Sequence, residues 1–487
     1  MKSSNAKFID VLKQMFDTYG QDLINDSARV NALLMDLAPG NSKERKLICS
    51  VLREGIGSEL IKVVDKSENE QKHCITKCII QIKNDTWIAE EAAEFAIQII
   101  ANSIGISCEV AAPDRKKKAP SSQPENRTII KGMFSGDSRN LSSALMAYDE
   151  IGYKAFAANT ELTEVLIPES IKSIKSRAFQ NCINLAKVQL PANLDSIGGC
   201  VFCGCSALES ITIPQSRKFA VVNGMLVNKE KKSLIRSQNE KGKNECQIPG
   251  EISVIEPYAF DRSPVRCIKI PKSTNSVEYD AFTYCMELEK FDVDPHNASF
   301  ASVDGVLHSK SLKQLLRYPS GNKKGNYIIE DEVEEIADSA FSGAAYLETV
   351  TFTNSLKSIG SKAFENCLKI ESLMLPASVE VIGERAFQFC DKLANVMLPR
   401  SIKEIGDFAF YDCASIQSLS VPQNVQRIGH AAFKGCSGLQ KIVIQGNVSF
   451  IGDGAFEGCS SNLEVCIRNN QYVESYCRAR GIKFSKI

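Results

Sequence analysis

Several things are missing from this sequence, and each absence closes off a class of function. No run of 18 or more apolar residues occurs, so no helix is expected to span a bilayer. Neither charge sign is in surplus: Lys plus Arg is 58 and Asp plus Glu is 58. A nucleic-acid binder would need a basic excess to release counterions, so that class is set aside. Residues Met1 to Gly20 lack a continuous apolar core, because Lys13 and Gln14 interrupt it. No secretory signal is read there, and the cytoplasm is the expected location, with export to the cell surface by a non-classical route as the alternative. There is 1 Trp, Trp87, and the 4 His residues, His73, His296, His308 and His430, are scattered. No G-x-S-x-G, H-E-x-x-H, Walker glycine loop or G-x-G-x-x-G is found. No catalytic, cofactor or metal site is therefore expected. One residue type stands out by its presence: 18 cysteines in 487 residues.

Composition shifts near residue 109. Residues 1–108 carry apolar residues at helical spacing, as in Phe8, Ile9, Leu12, Met15 and Phe16. Asp26 is placed to cap a helix over 27–37 that Pro39-Gly40 ends, and a further helix runs from Ser42 to near Gly55. A longer one is expected over Thr86 to Ser103, burying Ile88, Ala92, Phe95, Ile99 and Ile100. This reads as a small all-α domain of five or six helices. Residues 109–131 hold three prolines, Ser121-Ser122 and the basic run Arg115 to Lys118, the composition of a flexible linker. The basic run reads as solvated linker, with a localisation signal or an anion patch as the alternative.

Residues 132–487 repeat. Ala-Phe recurs at Phe156, Phe179, Phe260, Phe282, Phe341, Phe364, Phe387, Phe410, Phe433 and Phe456, and Val-Phe stands in at Phe202. From Phe341 onward the phenylalanines fall every 23 residues, while the intervals Phe202 to Phe260 and Phe282 to Phe341 are 58 and 59. A fixed period of this size marks a solenoid. The aligned unit is A-F-x-x-C-x-x-L-x-x-V-x-[IL]-P-x-x-V-x-x-I-G, seen cleanly from Ala386 to Gly406 and again from Ala409 to Gly429. Its V-x-I has strand period, with both apolar residues inward. The proline marks the strand end, and the glycine before each Ala-Phe corner is read as permitting a turn. One turn buries too little to offset the entropy of ordering it, so the turns must stack.

This pattern resembles the BspA-type leucine-rich repeat family. The resemblance covers about residues 134–487 and is carried by the recurring I-P-x-x-V-x-x-I-G-x-x-A-F-x-x-C. It implies an array of 23-residue turns with short parallel strands. It also implies two hairpin insertions, at about 215–247 and 295–328, and a C-terminal cap at about 468–487. Residues 132–153 would be a degenerate first turn, and the strand-ending proline is missing at Thr353 and Gln445. Exported members of the family bind host matrix proteins, so a surface adhesin is the alternative function. Residues 33–55 resemble helical segments of bacterial modular proteins, which implies no function.

Eight cysteines occupy one repeat position: Cys182, Cys205, Cys285, Cys367, Cys390, Cys413, Cys436 and Cys459. They are expected to stack inside the solenoid as small hydrophobes, one per turn. Cys200-x2-Cys203-x-Cys205 is the densest cluster, and Cys74-x3-Cys78 lies on an expected helix beside His73. Without a second paired set, both read as packed thiols before zinc or redox groups. The strand face is then the candidate recognition surface. Its exposed positions run Leu166, Gln189, Thr212, Lys269, Asp292, Thr351, Met374, Met397, Ser420 and Val443. The segment Thr351, Met374, Met397, Ser420 and Val443 is the candidate site for a protein partner. The reading is a non-enzymatic scaffold whose helical domain binds a second partner or self-associates. An unrecognised enzymatic activity in the helical domain is a third reading, and the oligomeric state is left open.

Overall fold

The computed structural model describes residues 2–20, 90–106, 128–129, 141–239, 242–278 and 280–487, with scattered residues between 23 and 79. In the N-terminal part, helix Lys2–Tyr19 packs against helix Glu90–Ser103, and a short helix spans Ile56–Ile61. Leu12, Met15 and Phe16 are buried as their spacing predicts, together with Phe95, Ile99 and Ile100. Most of the helices expected over 27–37 and 42–55, the start of the one over 86–103, His73, and nearly all of the linker lie outside the described residues.

The described residues from Thr128 onward form a β-solenoid. Its first strand, Thr128–Ile129, lies inside the segment expected as linker. Those two β-branched residues pair in parallel with Glu150–Ile151. Each regular turn carries two short strands rather than the one expected. The V-x-I strands form one face, as in Glu164–Leu166, Lys187–Gln189 and Ser210–Thr212 in parallel register. The residues before each glycine form a second face of two-residue strands, running without a break from Glu335–Ile336 to Phe450–Ile451.

Inside, the corner rings stack. Phe341, Phe364, Phe387, Phe410, Phe433 and Phe456 lie 4.6, 5.2, 5.3, 5.5 and 5.8 Å apart between centroids in near-parallel planes. The glycines do a different job from the one expected. Gly198, Gly360, Gly383, Gly406, Gly429 and Gly452 are absent from the positive-φ residues. A Cβ on Gly383 would sit 2.6 Å from the carbonyl carbon of Gly360, and one on Gly406 2.7 Å from that of Gly383. Backbone stacks on backbone there, and closeness rather than turning excludes a side chain. Left-handed positions stand two residues before a ring, as at Arg177, Lys362 and Arg385 (φ 59, 55 and 55°), and two residues after it, as at Asn181, Asn366 and Phe389 (φ 60° each).

The two long intervals each hide a complete turn. Ser237 and Tyr318 stand 23 residues before Phe260 and Phe341, and each donates its amide to the next corner as a ring residue does: Ser237 to Ala259 O and Tyr318 to Ala340 O, both at 2.7 Å. The Tyr318 ring joins the stack, 5.1 Å from Phe341. The insertions are three-stranded antiparallel meanders, Phe219–Val222, Met225–Asn228 and Ser233–Ser237, then Phe300–Val303, Val306–Ser309 and Gln314–Arg317. The third strand of each returns to the solenoid and pairs in parallel with the next turn. At the end, helix Gln471–Arg480 is capped by the Asn470 side chain, and Lys483–Lys486 pairs with Glu464–Ile467. Together they cap the last turn of the array.

Candidate interaction surface

Each three-residue strand on this face turns its middle residue, the V of V-x-I, inward and its last residue, the x, outward. Ser372–Met374 and Asn395–Met397 pair in register, so Met374 lies beside Met397. They are 66% and 62% exposed, high for side chains of this polarity. Thr351 and Ser420 are exposed polar neighbours on the same stripe. Val443 departs from the expectation and is half-buried, and Lys269 likewise. Beside Val443, Gln445 stands where the repeat has proline and donates 2.8 Å to Ser420 Oγ.

Ile328 belongs to this surface and was missed in the sequence. It is 70% exposed and pairs with Thr351. Its strand, Asn326–Ile328, is the V-x-I of the turn hidden in the second long interval, assigned above to an insertion. The signal was there in Tyr327, Ile328 and Ile329, an apolar triplet at strand spacing. The same reasoning places Gln247 of Glu245–Gln247 on the stripe. At the other end, Leu166, Gln189 and Thr212 line an open groove of about 420 Å³, with Glu164 and Lys187 paired at 2.7 Å beside them. Apart from Leu166, the face is polar toward its N-terminal end, and it is apolar around Ile328, Met374 and Met397.

Among the described residues, no group of three or more His, Cys, Asp or Glu side chains could hold a metal ion. No described helix is long and apolar enough to cross a membrane. The eight repeat-position cysteines are interior, seven of them fully buried and Cys459 half-buried. They act as more than apolar filler. Each donates its Sγ–H to the carbonyl of the corner ring one turn earlier, from Cys182 to Phe156 O at 3.1 Å through to Cys459 to Phe433 O at 3.2 Å. Burial pushes the Cys285 and Cys459 thiols up to about 12, which keeps the proton that this bond requires. Cys74 donates in the same way to Glu59 O at 3.4 Å, and Cys78 is buried. Cys200 and Cys203, read above as packed thiols, are instead joined as a disulfide.

His308 is wholly buried, with Nε2 2.9 Å from Glu330 Oε2 and Nδ1 3.1 Å from Val306 O, while the Tyr327 hydroxyl donates to the same carboxylate at 2.8 Å. This network anchors the second meander to the turn that follows it.

Residues 127–224, 238–308, 321–413 and 357–483 match the family model described as BspA type Leucine rich repeat region, in 6 copies. Among solved structures, a leucine rich cell surface protein from Faecalibacterium prausnitzii is similar at 26% identity and a TM-score of 0.44, over 68% of this chain and 85% of that one. The pneumococcal vaccine antigen PcpA is similar at 21% identity and a TM-score of 0.41, over 70% and 85%. A leucine-rich repeat protein from Bacteroides ovatus follows at 25% and 0.33, over 70% and 88%. No curated protein matches the chain.

Proposed function

The chain belongs to the BspA-type leucine-rich repeat family, and from that premise we propose a non-enzymatic scaffold whose strand face holds a protein partner around Ile328, Met374 and Met397. The observation that carries this reading is the exposure of those three side chains, at 70%, 66% and 62%, on one stripe of a rigid array. Exposed apolar groups so aligned have a hydration cost that a partner relieves. Methionine adapts its shape to what it meets. Thr351, between Ile328 and Met374, and Ser420, on the turn after Met397, supply polar contacts. The helical region of residues 1–108 serves as a second binding or self-association module.

A reducing compartment is part of the proposal. The eight repeat-position thiols keep their protons and donate to ring carbonyls, and all but Cys459 are buried, which fits the cytoplasm. The Cys200–Cys203 disulfide favours the second reading, an exported adhesin. The test uses the whole chain as bait, wild type and Met374→Lys/Met397→Lys. The double variant keeps the wild-type melting curve and loses the captured partner. Equal capture by both proteins would refute the proposed face. Surface labelling of intact cells separates the cytoplasmic scaffold from the adhesin.

A further inference from the structure

We propose that the Cys200–Cys203 corner is a thiol–disulfide exchange site, whose substrate is a small-molecule disulfide or thiol of the glutathione class.

The geometry comes from the repeat itself. In every regular turn, the residue two before the ring accepts an amide bond from the residue one after it, as from Gln180 to Arg177 O at 3.0 Å and Gln388 to Arg385 O at 3.1 Å. That turn brings the two positions together. In the 408–411 turn, the rings of Phe408 and Tyr411 occupy them 5.8 Å apart. Only in the 200–203 turn are both positions cysteine, and there Cys203 donates to Cys200 O while the two Cα atoms lie 5.0 Å apart. This spacing suits a disulfide.

The bond is not needed to shape the corner. Arg177, Lys362 and Arg385 hold the same left-handed φ without one. A disulfide across three residues also closes a very short loop, so it removes little entropy from the unfolded chain. The corner is instead held from outside, because Gly204 N–H donates 2.6 Å to the buried Asp261 carboxylate. Opening the disulfide therefore leaves the fold in place. Cys200 is half-buried and Cys203 6% exposed, whereas Cys205, two residues on, is fully buried and bonded to Phe179 O. Exchange is confined to the corner, with Cys200 as the entry sulfur.

In reduction, an incoming thiolate bonds to Cys200 Sγ and the Cys200–Cys203 bond breaks. Its electron pair leaves on Cys203, which takes a proton. A second small thiolate attacks the mixed disulfide at the small-molecule sulfur, and the pair leaves on Cys200, which is protonated in turn. Two small thiols become one small disulfide, and the corner becomes a dithiol. Oxidation is the reverse, with Cys203 resolving the adduct on Cys200.

The experiment equilibrates the full-length protein with reduced or oxidised glutathione, alkylates it without denaturant and maps peptides by mass spectrometry. Cys200 and Cys203 should be alkylated after reduced glutathione and protected after oxidised glutathione, with the same melting curve in both states. Cys203→Ser should retain one glutathione on Cys200 after oxidation, because nothing resolves it. A pair that resists reduction in the folded protein, stays alkylatable in oxidised glutathione, or melts earlier when reduced would overturn the proposal. So would a Cys203→Ser protein that takes no adduct.

Discussion

Between Phe341 and Phe456 the backbone and a thiol satisfy each corner, whereas at the turns of Ser237 and Tyr318 a buried arginine does so. In regular turns the residue two past the ring donates its amide to the next corner, as Asn366 does to Gln388 O at 2.9 Å and Phe389 to Tyr411 O at 2.9 Å. At the two meander turns the chain takes another course there, and Asn239 donates to Leu208 O instead. Arg236 then donates to Tyr258 O and Asp261 O, and Arg317 donates to Ser339 O and Ser342 O, the equivalent carbonyls one corner on. Arg317 also reaches Phe282 O at 3.3 Å, the kind of acceptor a thiol serves elsewhere. The repeat thus specifies a donor at a place in space, and a planar fork of N–H groups can supply it from a different strand.

The two arginines differ in how their charge is met. Burial lowers the pKa of both. Arg236 has the Asp261 carboxylate 4.0 Å away, whereas Arg317 has no ion-pairing carboxylate among the described residues and spreads its charge over carbonyls and Ser320 Oγ. Asp261→Ala should have the largest effect, about 3–5 kcal/mol in denaturant unfolding, because it strands a buried charge and unpairs Gly204 N–H. Arg317→Met should cost about 3 kcal/mol, since it removes the charge-assisted bonds to Phe282 O, Ser339 O and Ser342 O, each of which keeps one weaker donor. If the two losses came out equal to those of surface substitutions, the arginines would be filler rather than donors.

In the regular run the same substitution logic gives smaller numbers. Cys390→Ala should cost about 1–2 kcal/mol, for a lost sulfur and the loss of the second of two hydrogen bonds to Phe364 O, which keeps the Cys367 amide. Cys390→Ser, which keeps a donor, should cost less, and the reverse order would make the thiol a packing choice alone. The smallest effect belongs to the surface. Glu334 sits between Lys313 and Lys357, whose ammonium groups hold its carboxyl down at about 2. A lowered folded pKa means that its contribution is present above the unfolded value of 4.5 and is lost as pH falls toward 2. The carboxylate is solvent-exposed, so the acid unfolding curve of Glu334→Gln should differ only slightly from wild type in that window.

The period of the rings made the solenoid legible, because one residue type at one spacing survives any local variation. What escaped was set by partners distant in sequence. The second strand of each turn is two residues long and has no alternation to read. Gly383 and Gly406 signal a bend in one dimension but a backbone contact in three. Ile328 was hidden because a meander shifts the phase of the repeat, and the hidden turn has Tyr318 in place of phenylalanine. Arg236 and Arg317 look like ordinary strand-end cations until their carbonyl partners are in view. Met374 and Met397 were found because a register position is enough to place them, while Val443 needed its neighbours to show that it is half-covered.

The strand face is tested most directly by hydrogen–deuterium exchange on the full chain, alone and with its captured partner. The proposed scaffold predicts slowed exchange in Asn326–Ile328, Ser372–Met374 and Asn395–Met397, with the polar strands Glu164–Leu166 and Lys187–Gln189 unchanged. Protection confined to the polar strands, or to residues 1–108, would contradict it.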